Sequence, residues 1–182
     1  GRAELIYDQI KDYIVGHTVL DLGCGDGKVG ELLSKQNLEV TLADIYEHEH
    51  VNSTGLRFLE KVPLGEKYDL TLLLTVLHHS EDPLITLKEA KKLTKKSGRI
   101  IVIESVYGVE IGDFGKLSSE QQRLTNVFFD HFYNRVIHYS DDPNKKVSVP
   151  FNFQTPTEWK KTFEDVGLVQ IGFEELGIDQ PI

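Results

Sequence analysis

The chain has 182 residues, 40% of them hydrophobic and 27% charged, the make-up of one soluble globular domain able to bury a core without disulfides. Its 20 basic residues against 29 acidic ones leave a net charge of -9, which argues against a general nucleic-acid binder. No apolar run approaches the roughly 20 residues that span a bilayer. The lone Cys24 can form no internal disulfide and no signal peptide is visible, so a reducing, cytoplasmic setting is expected.

In chain order, Leu5, Ile6, Ile10 and Ile14 share one helical face and predict a helix over Ala3–Val15. Thr18–Leu22 reads as a strand running into glycines, Lys28–Gln36 as a helix, and Glu39–Ala43 as a second strand closed by Asp44. Leu56–Leu59 is a short third strand. Tyr68–Leu74 is nearly all apolar, as in a strand buried on both faces. Asp82-Pro83 opens a helix to Lys96, Ser97-Gly98 ends it, and Arg99–Val106 follows as a strand. Alternating strands and helices with short connections predict a doubly wound, mostly parallel, Rossmann-like α/β sheet with helices on both faces. The pattern breaks over residues 107–150, which hold a helix from Ser118 to about His138. A helix over Pro156–Phe163, with Thr155 as N-cap, and a strand over Gly167–Leu176 complete the chain. The expectation is one domain over 1–182 with a helical lid inserted at 107–150.

The most informative stretch is Val19-Leu-Asp-Leu-Gly-Cys-Gly-Asp-Gly27. Glycines let a strand turn sharply and bring backbone close to a ligand, and the next helix offers free N–H groups. Gly25–Gly30 is literally G-x-G-x-x-G, with Asp44 at the spacing of a ribose-binding acid, so a nicotinamide dinucleotide is one reading. Asp21 and Asp26 argue against it. Two carboxylates beside the turn repel a pyrophosphate and attract an ammonium or sulfonium.

These residues resemble the class I S-adenosylmethionine-dependent methyltransferases, in particular their small-molecule "type 11" group. Val19–Gly27 is similar to the first motif of that family. Tyr68–Pro83 resembles its fourth strand and following loop, and Leu87–Val106 its next helix and fifth strand. The resemblance implies a seven-stranded-type sheet, S-adenosylmethionine as cofactor and a small-molecule methyl acceptor. By position it implies that Gly23, Cys24 and Gly25 line the cofactor, that Asp21 holds the methionine amino group, and that Asp44 holds the ribose. Ile45 and Tyr46 would then flank the adenine, and Thr75, Val76 and Leu77 would run under the methionine portion. Two departures stand out. No acid or amide aligns cleanly after the third strand, Glu60 being nearest, and the final antiparallel strand of the family has no counterpart in the chain.

Methyl transfer from a sulfonium is an in-line displacement, so alignment supplies much of the catalysis and a base is needed only for a protonated acceptor. His78 is the candidate base or acceptor-holding group, while His79 reads as packing. Tyr107, His131, Tyr133 and Arg135 are the candidate acceptor contacts; Phe128, Phe132 and Tyr139 share a face with His131 and Arg135. These aromatics equally suit ordinary packing against the core. His48 and His50 read as a solvated turn, so no metal site is expected. The lysines from Lys88 to Lys96 read as a solvated helix face. A cofactor-binding module without turnover is the remaining alternative.

Overall fold

The computed structural model describes residues 1–137 and 141–177. They form two compact units, one of Gly1–Val76 with Glu89–Ile103, the other of Leu77–Lys88 with Glu104 and the residues beyond it.

The first unit carries the sheet. Its elements are α1 (Arg2–Ile10), β1 (Thr18–Leu22), α2 (Lys28–Ser34), β2 (Glu39–Ala43), α3 (Glu49–Thr54), β3 (Arg57–Leu59), β4 (Tyr68–Leu74), the end of α4 (Pro83–Leu93) and β5 (Thr94–Ile103). The five strands are all parallel, in the order β3-β2-β1-β4-β5. Alternation along β1 divides the core. Val19 packs with Ile6, Ile10, Leu33 and Val51 of α1, α2 and α3, whereas Leu20 packs with Ala43, Val62 and Leu93. Helices therefore cover both faces, as the apolar strands require. The order reverses at β1, which pairs with β2 on one side and β4 on the other. Ligands in such sheets bind beyond the carboxyl ends of the strands at this point.

Several boundaries differ from the sequence reading, three of them with a readable physical cause. The first helix ends at Ile10 and tightens into a 3-10 turn over Lys11–Tyr13. Helix α4 stops at Leu93 because β5 begins at Thr94, with a bulge between the Tyr68↔Thr94 and Leu70↔Arg99 pairs. A Cβ on Gly98 would lie 2.5 Å from the Asp69 carbonyl oxygen, so only glycine permits this approach. The Asp69 carboxylate pins the same edge. It accepts from the His17 and Thr18 N–H groups and pairs with Lys95 at 2.8 Å. Helix α3 replaces part of the polar turn expected around His48 and His50; six residues with Val51 alone buried leave no readable period.

In the second unit, α5 (Ser119–Phe132) starts at a Ser118/Gln121 capping box and continues as a π-helix over Tyr133–Ile137. A Thr155/Glu158 capping box starts α6 (Pro156–Asp165), as the Thr155 N-cap anticipates. His138 and Tyr139 lie outside the described residues. The strand expected at Gly167–Leu176 is absent among the described residues. Val169, Ile171 and Phe173 keep the alternation of a strand yet are all exposed. Alternation alone does not make a strand, which exists only as part of a ladder of hydrogen bonds with a neighbouring strand. The described sheet thus has five strands, not the seven of the expected type.

Gly30 tests the packing of α2 on β2. A Cβ there would meet Leu42 Cδ2 at 2.4 Å and Val40 Cγ1 at 3.2 Å. Alanine would gain roughly 1 kcal/mol of helix propensity, but overpacking against the fully buried Leu42 costs about 1–3 kcal/mol. Gly30→Ala is therefore expected to lower the urea midpoint; an unchanged or higher midpoint would show that Leu42 yields freely.

Candidate active site

The turn from β1 to α2 is held to β2 by backbone bonds. Gly23 and Cys24 both donate to the Ala43 carbonyl, at 2.7 and 3.1 Å. Two glycines here do different work, each at positive φ. A Cβ on Gly23 would strike Val76 Cγ2 at 2.5 Å, so Gly23 is a close-approach position. A Cβ on Gly25 would meet nothing within 4 Å, so Gly25 borders open space. Gly30, the last glycine of the literal dinucleotide fingerprint, is filled against by Leu42 and Val40.

Asp44 ties the end of β2 to this turn. Its carboxylate accepts from Gly25 N–H at 2.7 Å and from Ile45 N–H at 2.7 Å. Each oxygen keeps a further lone pair. Ile45 is exposed, and Tyr46 is half-buried with its ring 4.3 Å from that of His48. Asp21 is buried at 1% exposure, and its Oδ1 has no hydrogen-bond partner. Burial, with the nearby charges of Asp44 and Asp26 adding, pushes its carboxyl up to about 7. The same burial, with Asp21 and Asp44, pushes the Cys24 thiol far above its usual range, which makes it a poor nucleophile.

At the end of β4, Thr75 has φ 59°, unusual for a β-branched residue. Its N–H donates to the Ile103 carbonyl at 2.7 Å and its hydroxyl to the Leu74 carbonyl at 2.6 Å. Strain of this kind concentrates at ligand sites. Nothing in the sequence marks it, since a Thr at a strand end is ordinary. The orphaned Asp21 oxygen, the open space over Gly25 and the spare Asp44 lone pairs fit a ligand with a cationic amine and ribose hydroxyls.

The second unit holds a buried ionisable cluster. Glu104 accepts from Leu77 N–H at 2.6 Å through Oε1 and from His78 Nδ1 at 2.5 Å through Oε2. His78 Nε2 faces Asp130 Oδ1 at 3.7 Å, and the Phe153 ring stacks on the imidazole at 5.0 Å. Burial works to lower His78, but Asp130 and Glu104 prevail and raise it to about 9. His79 donates from Nδ1 to the Ser148 carbonyl at 2.9 Å and turns Nε2 to Asp130 Oδ1 at 3.5 Å; burial and the neighbouring His78 lower it. The remaining candidates are not drawn to one point. The Tyr107 hydroxyl faces Glu158 at 3.5 Å. His131 is exposed, Tyr133 and Arg135 are half-buried, and Arg135 donates to the adjacent Asn134 carbonyl at 3.4 Å. Phe128 and Phe132 stack 6.1 Å apart but are exposed.

Residues 6–171 match the family described as a methyltransferase domain. The chain belongs to that methyltransferase family. It is 26% identical over 144 residues to a ubiquinone biosynthesis O-methyltransferase of Aliivibrio fischeri, covering 70% of this chain and 61% of the relative. A protein of the same name from Dinoroseobacter shibae is 31% identical over 96 residues, 46% of this chain and 39% of the relative. The chain thus spans 61% and 39% of the length of these two relatives. Among solved structures, a SAM-dependent methyltransferase of Thermotoga maritima matches with a TM-score of 0.62 at 18% identity, covering 93% of this chain and 73% of that one. The YcgJ protein of Bacillus subtilis gives 0.62 at 16% identity, covering 92% and 68%. At these identities the structural likeness establishes the fold.

Asp21 makes stability depend on pH. Between about pH 4 and pH 7 the folded carboxyl keeps a proton that the unfolded one has lost, so stability falls as pH rises through this window. Above it the unmet charge costs on the order of 4 kcal/mol. Asp21→Asn should therefore gain stability over wild type at pH 8 and little at pH 4, read from urea melts. An equal difference at both values would contradict the buried, unpartnered carboxylate.

Proposed function

We propose that this protein transfers a methyl group from S-adenosylmethionine to a small-molecule acceptor. The observation that carries the reading is the unpartnered, buried Asp21 oxygen beside a glycine turn closed by Asp44. When bound, the cofactor supplies an electrophilic methyl carbon on a sulfonium. Asp21 meets its cationic amine, which makes good a charge that the fold leaves bare. Asp44 accepts from the ribose hydroxyls through the lone pairs that Gly25 and Ile45 leave spare. Gly23, Cys24 and Gly25 line the cofactor with backbone, Ile45 and Tyr46 flank the adenine, and Thr75, Val76 and Leu77 run under the methionine part.

An oxygen acceptor is favoured, because the curated relatives are named O-methyltransferases. Tyr107, His131, Tyr133 and Arg135 are our candidates for holding it. His78 suits a positioning role better than proton removal, since Nδ1 is committed to Glu104 and Nε2 faces Asp130. The net charge of -9 supports a small acceptor over a nucleic acid. Among the described residues no helix is long and apolar enough to cross a membrane, and we assign the protein to the cytoplasm. The nicotinamide reading draws no support from the family match or from the curated relatives, which are methyltransferases.

Asp44→Ala is expected to weaken S-adenosylhomocysteine binding by about 1–3 kcal/mol, roughly 5- to 150-fold in Kd. Calorimetric titration reads this directly, and unchanged affinity would remove Asp44 from the cofactor site.

A further inference from the structure

His78, His79 and Asp130 bring three potential ligand atoms within 4.8 Å of one another. His78 and His79 sit on the 3-10 turn Leu77–His79, while Asp130 is on α5. The second nitrogen of each imidazole is already assigned. His78 Nδ1 donates to the Glu104 carboxylate and His79 Nδ1 to the Ser148 carbonyl. Both Nε2 atoms thus carry lone pairs when the rings are neutral, and both face Asp130 Oδ1, at 3.7 and 3.5 Å. Asn134 donates to that same Oδ1 at 2.8 Å, while Asp130 Oδ2 is buried with no partner.

Hydrogen bonding among these groups does not settle the arrangement. Glu104 and Asp130 are two carboxylates with side chains only 4% and 6% exposed, and among the described residues no lysine or arginine pairs with either. A proton on His78 would balance one charge. It would still leave Asp130 Oδ2 unpartnered and two acceptors, His79 Nε2 and Asp130 Oδ1, face to face. A divalent ion would balance both carboxylates at once. The spacing agrees. Donors about 2.0–2.2 Å from a tetrahedral ion stand roughly 3.4 Å apart. Metal-bound histidines characteristically donate their other N–H to a carboxylate or backbone carbonyl, and both partners are in place here.

We propose that His78 Nε2, His79 Nε2 and Asp130 form a binding site for a divalent transition-metal ion of the zinc type, oriented by Glu104, the Ser148 carbonyl and Asn134. Two imidazoles and a carboxylate suit such an ion better than magnesium or calcium, which favour all-oxygen sites. Three protein donors leave a fourth position for water or another oxygen ligand.

The test uses the full chain stripped with a chelator and titrated with Zn2+, and separately with Co2+ to read its visible d–d bands. One ion per chain is expected, with a tetrahedral Co2+ spectrum. His79→Gln, chosen because its side chain is 22% exposed and tolerates change, should weaken Zn2+ binding by more than about 100-fold. Glu104→Gln, which leaves all three donors in place, should weaken it by about 10- to 100-fold. His48→Gln with His50→Gln should leave it unchanged. No binding to wild type, binding that survives His79→Gln, or binding lost with His48 and His50 would each overturn the proposal. None of these readouts depends on methyl transfer.

Discussion

At the carboxyl end of β1 a carboxylate is buried without a cation to answer it. Asp21 is there because β1 alternates, so the residue after inward Leu20 must enter the Val19 face beside α2. An uncompensated buried charge is among the more expensive things a fold can hold. The surrounding sheet is built to hold it. Parallel strands covered on both faces supply a rigid core, and the glycine turn is anchored twice to Ala43 and again through Asp44. The arrangement makes sense as preorganisation. The fold carries part of the desolvation cost in advance, and in the proposed reading a cationic ligand group recovers it on binding.

The rest of the candidate site follows from the same place in the topology. The order of strands reverses at β1, so the ends of β1, β2 and β4 converge. Gly23 can lie against Val76 only because it lacks a Cβ, and Thr75 takes a left-handed conformation one residue earlier. Close approach and local strain thus meet at the ends of adjacent strands. Backbone strain of this order, about 1–3 kcal/mol, persists where surrounding structure fixes it.

Much of this was legible in the residues. Strands β1, β2 and β4 match their expected bounds because short segments rich in apolar residues between turn residues leave little choice. The glycine turn, Asp21 and Asp44 were legible because their chemistry lies in short contiguous motifs. Other features were not. Helix α3 is too short to show a period, and β5 starts early through a bulge that no local propensity announces. Gly167–Leu176 has the alternation of a strand, but alternation states a preference and pairing needs a partner. The histidine cluster was half visible. His78-His79 stood out, yet Glu104 and Asp130 come from distant positions and only tertiary structure joins them to it. His79, read as packing, bonds to the Ser148 carbonyl and faces Asp130, and neither partner is near it in sequence.

The central claim is that the β1–β2 turn, with Asp21 and Asp44, takes a sulfonium cofactor of the methyltransferase family to which this chain belongs. Calorimetric titration of the wild-type chain with S-adenosylmethionine, S-adenosylhomocysteine and NADH in parallel tests it most directly. The account predicts saturable binding of the first two at one site per chain and none of NADH. Binding of NADH alone, or of none of the three, would contradict it.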